Sequence, residues 1–186
     1  MLISKFNKEN VEVNVNEFVN KIGHELPEAY KIFLMKYNGG ETPDTKWNGK
    51  GRTDVRGFFG YKICEDYWDF DKNLEEDFFQ EILVQGMLAI AENSLGDYIC
   101  IKLADGTIYL KYHDSEKNIM MANDFESFIG KCKSQKIGHV STIEERKARL
   151  IANGHGDKLT DTMLRGWQAE IDKYGSMVQE EVIFDD

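Results

Sequence analysis

The chain has 186 residues, 41% hydrophobic and 30% charged, which is enough for one cored domain plus an appendage. Its formal charge of −10 argues against nucleic acid, because phosphate binding requires neutralising Lys and Arg, and against anionic lipid. The same field favours a basic protein partner, although net charge also serves solubility alone.

No sustained apolar run follows Met1–Phe6, and no stretch approaches the ~20 apolar residues of a membrane span. Cys64, Cys100 and Cys132 are odd in number and far apart. Free thiols in a reducing cytoplasm are therefore expected rather than a disulfide framework.

In chain order, Asn16 is expected to cap a short helix carrying Phe18, Val19 and Ile22, which Gly23 ends. Pro27 suits the first position of a second helix. Its stripe is Tyr30, Phe33, Leu34 and Tyr37, stopped by Asn38-Gly39-Gly40. Residues 41–54 read as a polar loop, with Gly49-Lys50-Gly51 a turn that lacks the spacing of a phosphate loop. Val55–Ile63 reads as a glycine-interrupted strand, and Met87–Ala91 as a short buried one.

Asp105-Gly106 carries the signal of a two-residue hairpin turn. On that register Leu103 faces Ile108, Ile101 faces Leu110 and Ile99 faces Tyr112, all on one face. Cys100, Lys102, Tyr109 and Lys111 occupy the other. Asn123 and Glu126 form a capping-box pattern before the stripe Phe125, Phe128, Ile129 and Cys132. Residues 136–140 read as a linker. Ser141 and Glu144 suggest another capping box, and Thr160 caps a last helix with Leu164, Trp167, Ile171 and Tyr174, closed by Gly175. The expected organisation is a domain over 1–135 and a helical-hairpin appendage over 141–186.

Catalytic patterns are thin. His24, His113, His139 and His155 show no metal-ligand spacing, and no nucleophile has a base beside it in sequence. The expectation is no enzyme activity, no metal and no cofactor. Charge distribution is more informative. From Glu65 to Glu81 there are eight acids and one base, a net of −7, interleaved with Tyr67, Trp68, Phe70, Phe78 and Phe79.

Acids around aromatic side chains suit an interface for a basic protein, since aromatics supply buried area and charge steers encounter. Glu65, Asp66, Trp68, Asp69, Asp71, Glu75 and Glu76 are the candidate partner-binding residues. The alternative is that Phe78 and Phe79 pack inward beneath a merely solvated helix. Six cations against two acids between Lys131 and Arg149 keep open a self-assembling scaffold in which this basic stretch meets the acidic segment of another copy. A monomer or weak homodimer is expected.

Four stretches carry a family resemblance: Leu26-Pro27 through Tyr30, Phe33-Leu34 and Tyr37-Asn38-Gly39-Gly40; Phe58-Phe59-Gly60; Ile90-Ala91 leading to Gly96-Asp97-Tyr98-Ile99-Cys100-Ile101; and Ala122-Asn123-Asp124-Phe125-Glu126-Ser127-Phe128-Ile129. In this order they resemble the SUKH superfamily over residues 15–132. That superfamily includes fungal cell-wall-synthesis regulators of the Smi/Knr type and bacterial immunity proteins of polymorphic toxin systems. The resemblance implies an α+β fold, a mostly antiparallel curved sheet with packed helices. It also implies a cofactor-free binding module whose usual bacterial role is to neutralise a toxin, often a nuclease. The alternative it leaves is a non-catalytic regulatory scaffold.

Overall fold

The computed structural model describes residues 1–6, 14–175 and 177–184. After β1 (Leu2–Ile3) comes α1 (Val15–Ile22). Asn14, not Asn16, caps α1, its side chain accepting from the Glu17 N–H at 3.1 Å. Gly23 closes the helix in the left-handed region, as expected. In α2 (Glu28–Tyr37) Pro27 stands one position earlier than expected, at the cap, while Tyr30, Phe33, Leu34 and Tyr37 are buried.

The stretch expected as loop contains β2 (Gly40–Glu41) and β3 (Thr45–Trp47), and the expected 55–63 strand shrinks to β4 (Gly57–Phe58). Beyond β4 the chain leaves the sheet to bond with the following segment at Gly60. The remaining elements of the larger unit are α3 (Phe70–Asn73), α4 (Asp77–Val84), β5 (Met87–Glu92), β6 (Tyr98–Lys102), β7 (Ile108–Lys111), β8 (Asn118–Ala122), α5 (Phe125–Lys131) and β9 (Cys132–Ser134).

The main sheet is antiparallel throughout, in the order β2-β4-β5-β6-β7-β8, and β3 pairs separately with β9. The β6–β7 hairpin forms with partners displaced by two residues from expectation: Ile99 faces Leu110 and Ile101 faces Ile108. Its loop holds four residues, since the Lys102 N–H donates to Thr107 O and the Gly106 N–H to Lys102 O, both at 2.8 Å. Gly106 takes the positive φ of 77° that this closure needs. A two-residue displacement leaves every side chain on its expected face. Ile99, Ile101, Ile108 and Leu110 are all buried.

Over the inner face the rings of α2 and α5 meet β4. Phe33 lies 5.0 Å from Phe58 and 5.2 Å from Phe125, and Phe128 lies 6.5 Å from Phe58. Asp124 caps α5 through the Ser127 N–H, one residue later than expected. On the other face Phe79 of α4 packs edge-on to Phe59 and Tyr98. Phe78 lies 5.0 Å from Tyr98, so the inward-packing alternative holds for both phenylalanines.

The chain divides into two compact units, Met1–Gln135 with Gln179–Asp186, and Lys136–Val178. The expected appendage therefore stops short of residue 186. β10 (Glu180–Glu181) pairs with β1, the Val182 N–H donates to Met1 O, and Val182 is buried. The apolar side chains of Val182 and Phe184, the latter 5.9 Å from Phe125, explain why this segment joins the core rather than the helices.

The second unit holds α6 (Ile143–Ala152) and α7 (Asp161–Tyr174). Thr142 and Glu145, not Ser141 and Glu144, form the capping box of α6, while Thr160 caps α7 as expected. Arg146 joins the two helices through a bidentate ion pair with Glu170 at 2.8 and 3.0 Å and lies over Trp167.

Two glycines separate strain from crowding. Gly86 has φ 73° with open space where a Cβ would stand, whereas a Cβ on Gly39 (φ 79°) would lie 2.7 Å from Phe58 O. Gly86→Ala should cost about 1–2 kcal/mol from the left-handed backbone alone. Gly39→Ala should cost clearly more, because β4 must also move. Urea denaturation of both variants checks this, and equal losses would contradict the packing at Gly39.

Candidate functional site

The acidic segment is strapped to the sheet at Gly60, whose N–H donates to Trp68 O at 3.0 Å and whose carbonyl accepts from the Phe70 N–H at 2.8 Å. This places Trp68 in the core and not at the surface. It is 3% exposed, packed against Phe6, Phe59 and Tyr67, and a Cβ on Gly57 would lie 2.8 Å from its ring.

Asp69 is 6% exposed. Its Oδ1 accepts from the Lys62 N–H at 3.0 Å and the Asp71 N–H at 2.9 Å. The carboxylate thus caps α3 and holds Lys62 at φ 55°. Both residues are internal fasteners, which corrects the expectation that they meet a partner. Gly57 makes the room for the Trp68 ring, and it lies too far from Trp68 in sequence for periodicity to reveal it.

Asp71 is half-buried and paired with Lys21 at 2.5 Å. Glu65, Asp66, Glu75 and Glu76 are exposed, and so are Asp77 and Glu81. Among the described residues none of these six makes an ion pair. The structure therefore retains four of the seven candidate residues as free surface acids. The basic stretch from Lys131 to Arg149 is divided between the two units, and Arg146 is committed to Glu170.

Beside these acids stands a polar and aromatic group that sequence reasoning missed. Glu92 is 4% exposed, with both carboxylate oxygens within 2.8 Å of the Tyr67 hydroxyl and 3.5 Å between Oε1 and the Arg56 guanidinium. Arg56 also lies over the rings of Tyr67 and Trp68. Burial first, and then the Glu92 carboxylate, raise the Tyr67 hydroxyl above its ordinary pKa. Tyr98 pairs across the sheet with Glu92. Its hydroxyl is pushed up to about 12 by burial and then by Glu92 and Tyr67. The β5–β6 register sets Glu92 beside Tyr98, while Arg56 and Tyr67 reach Glu92 from the segments before and after β4; only Tyr67 lies in the acidic segment.

The Gly96-Asp97 pair forms the entry turn of β6. Asn93 Oδ1 accepts from the Leu95 and Asp97 N–H groups. The Asp97 carboxylate meets His113 Nδ1 at 2.8 Å, the His113 N–H at 3.2 Å and the Asn93 amide at 3.0 Å. Burial opposes ionisation of Asp97, but the bonds from Asn93 and His113 outweigh it and hold the carboxyl below its ordinary value. Among the described residues no hydroxyl or thiol bonds to His113 Nε2, and no three His, Cys, Asp or Glu side chains converge as metal ligands. All three cysteines are free. Burial pushes the Cys100 and Cys132 thiols up to about 12, which disfavours the nucleophilic thiolate. Among the described residues no helix is long and apolar enough to cross a membrane.

An antiparallel sheet with α2 and α5 on one face and the α3–α4 acidic segment beside the other defines an α+β domain of the SUKH type. The chain belongs to the SMI1 / KNR4 family (SUKH-1), whose model matches residues 12–131. It is also similar to the SPbeta prophage-derived uncharacterized protein YokK of Bacillus subtilis (strain 168). The two are 26% identical over 144 residues, covering 64% of this chain and 73% of that protein.

Two stability measurements test the site's framework. Trp68→Ala should lose about 3–5 kcal/mol, as for other large core truncations, in urea unfolding; a loss under about 1 kcal/mol would return Trp68 to the surface. Asp97 has a lowered folded pKa, so its stabilising contribution is complete above its ordinary value of 3.8 and is lost as pH falls through the folded value. Asp97→Asn should therefore destabilise the protein more at pH 7 than at pH 3, and an equal effect at both would contradict the linkage.

Proposed function

We propose that this chain works by binding another protein, as a cytoplasmic immunity-type member of its family that neutralises a cognate toxin through a basic surface. The observation that carries this reading is the state of the acids between residues 65 and 81. Of eight, one is buried as a cap and one is paired with Lys21, while Glu65, Asp66, Glu75, Glu76, Asp77 and Glu81 make no ion pair among the described residues. Six uncompensated carboxylates repel one another in the free protein, and a basic partner relieves that repulsion. Charge of this kind at an interface rim acts mainly on the association rate.

The partner is a protein whose cationic surface, such as a nuclease's nucleic-acid cleft, meets these carboxylates in place of phosphates. Binding is without cofactor or catalysis. The two buried thiols are held protonated, and the His113–Asp97 pair fastens a turn. The prophage origin of the Bacillus relative fits a gene of microbial conflict. The self-assembling scaffold has less support, because the basic stretch it needs is split between two units.

Charge reversal provides the test. Glu65→Lys/Asp66→Lys and Glu75→Lys/Glu76→Lys should fold normally and slow association with the cognate toxin by about tenfold at low salt, less at high salt. Protection of toxin-expressing cells should fall in parallel. If both double variants associate and protect like the parent, the acidic surface is not the interface.

A further inference from the structure

A groove of about 280 Å³ opens between the end of α1 and the α3–α4 segment. Its apolar lining is Ile22, Leu74, Leu83 and Val84. Three of these are buried beneath it, whereas Val84 is 88% exposed, the most exposed large apolar side chain among the described residues. Helix α4 ends here, and its outward face explains the exposure. Asp77, Gln80 and Val84 stand at i, i+3 and i+7, so one stripe carries a carboxylate at the first turn and an uncovered valine at the last.

Two polar side chains of the groove are committed, and His24 lines it as well. Gln80 donates its side-chain amide to Leu74 O at 2.5 Å, and Lys21 is tied to Asp71. Glu75 lines the opening and makes no ion pair among the described residues, and Glu76 and Asp77 follow it in sequence. The result is an apolar floor with the Glu75 carboxylate at its edge and two further exposed acids next in the chain.

We propose that this groove receives one large apolar side chain, aromatic or leucine-like, from a segment of the basic partner, with flanking Lys or Arg residues of that segment meeting Glu75, Glu76 and Asp77. The inference rests on the protein-binding reading above and adds the chemistry of the partner segment. Charge complementarity selects this occupant: a neutral or acidic segment with the same side chain would stand against three like or uncompensated charges. The apolar contact acts chiefly on the dissociation rate, because it must be unpacked before the partner leaves. In this arrangement the apolar side chain that fixes the complex comes from the partner, and this chain supplies its receptacle and rim.

The test uses the full ¹⁵N-labelled chain and two end-blocked pentapeptides, KKWKK and KKAKK, followed by amide chemical shifts. KKWKK should perturb Ile22, Leu83 and Val84 saturably, and KKAKK should bind more weakly without moving them. Val84→Asn, at a solvent-facing position, should weaken KKWKK by about fivefold and leave KKAKK unchanged. Glu75→Gln/Glu76→Gln should weaken both peptides and flatten their salt dependence. Equal affinity of the two peptides, with shifts confined to the amides of 75–77, overturns the groove and leaves the acidic interface standing. KKWKK shifts centred elsewhere, or Val84→Asn binding KKWKK like the parent, also overturn the groove. No perturbation by either peptide at the groove or at 65–81 counts against both readings.

Discussion

Asn38 is the point on which both the fold and the acidic surface depend. Its backbone turns left-handed to end α2, with φ 48°. Its buried side chain donates to Tyr61 O at 2.9 Å and accepts from the Tyr61 N–H at 2.8 Å. One residue thus stops a helix and satisfies both backbone groups of a segment that leaves the sheet, where an unmet polar group is costly. Gly39 and Gly60 allow the two backbones to approach so closely that a Cβ on Gly60 would lie 2.2 Å from Asn38 O. Gly60 in turn holds Trp68 and Phe70 by two hydrogen bonds, so the position of the acidic segment is inherited from the end of α2.

That inheritance sorts the acids into different roles. Carboxylates drawn inward survive there because they are hydrogen-bonded: Asp69 by two backbone N–H groups, Glu92 by the Tyr67 hydroxyl, Asp97 by Asn93 and His113. On the 65–81 segment Glu65, Asp66, Glu75, Glu76, Asp77 and Glu81 lie exposed and, among the described residues, make no ion pair. The segment's net charge is therefore divided between carboxylates that fasten structure and carboxylates that shape the outer field.

The aromatics divide in the same way. Phe70, Phe79 and Trp68 belong to the core, while Tyr67 is 53% exposed and Phe78 half-buried. With three rings serving the interior, the surface keeps charge and a little apolar area. On the protein-binding reading proposed above, a surface of this composition would act on the rate of encounter more than on the strength of holding. The groove at the end of α4 adds an apolar lining of Ile22, Leu74, Leu83 and Val84.

What could be read from the amino-acid order alone was local and periodic. The stripe of α2, the inner face of the hairpin and the stripe of α5 follow from spacings of 3.6 and 2 residues, which constrain burial wherever the element lies. Caps were legible only to within a residue or two. Asn14 and Asn16, Asn123 and Asp124, and Ser141 and Thr142 offer near-equivalent side chains, and the choice falls to backbone geometry. The family pattern was also legible, because its residues are core and turn positions, and the acidic run was plain as composition.

Tertiary structure alone decided which acids remain free, that Trp68 and Asp69 face inward, that Arg56, Glu92 and Tyr98 stand beside Tyr67, and that residues 180–184 return to the first strand. Each of these outcomes depends on contacts between residues distant in sequence. Burial of Trp68 turns on the absence of a side chain at Gly57, and the charge of Asp71 is met by Lys21 fifty positions earlier. Periodicity specifies which face of an element is apolar; packing specifies what that face, and every polar group beside it, will meet.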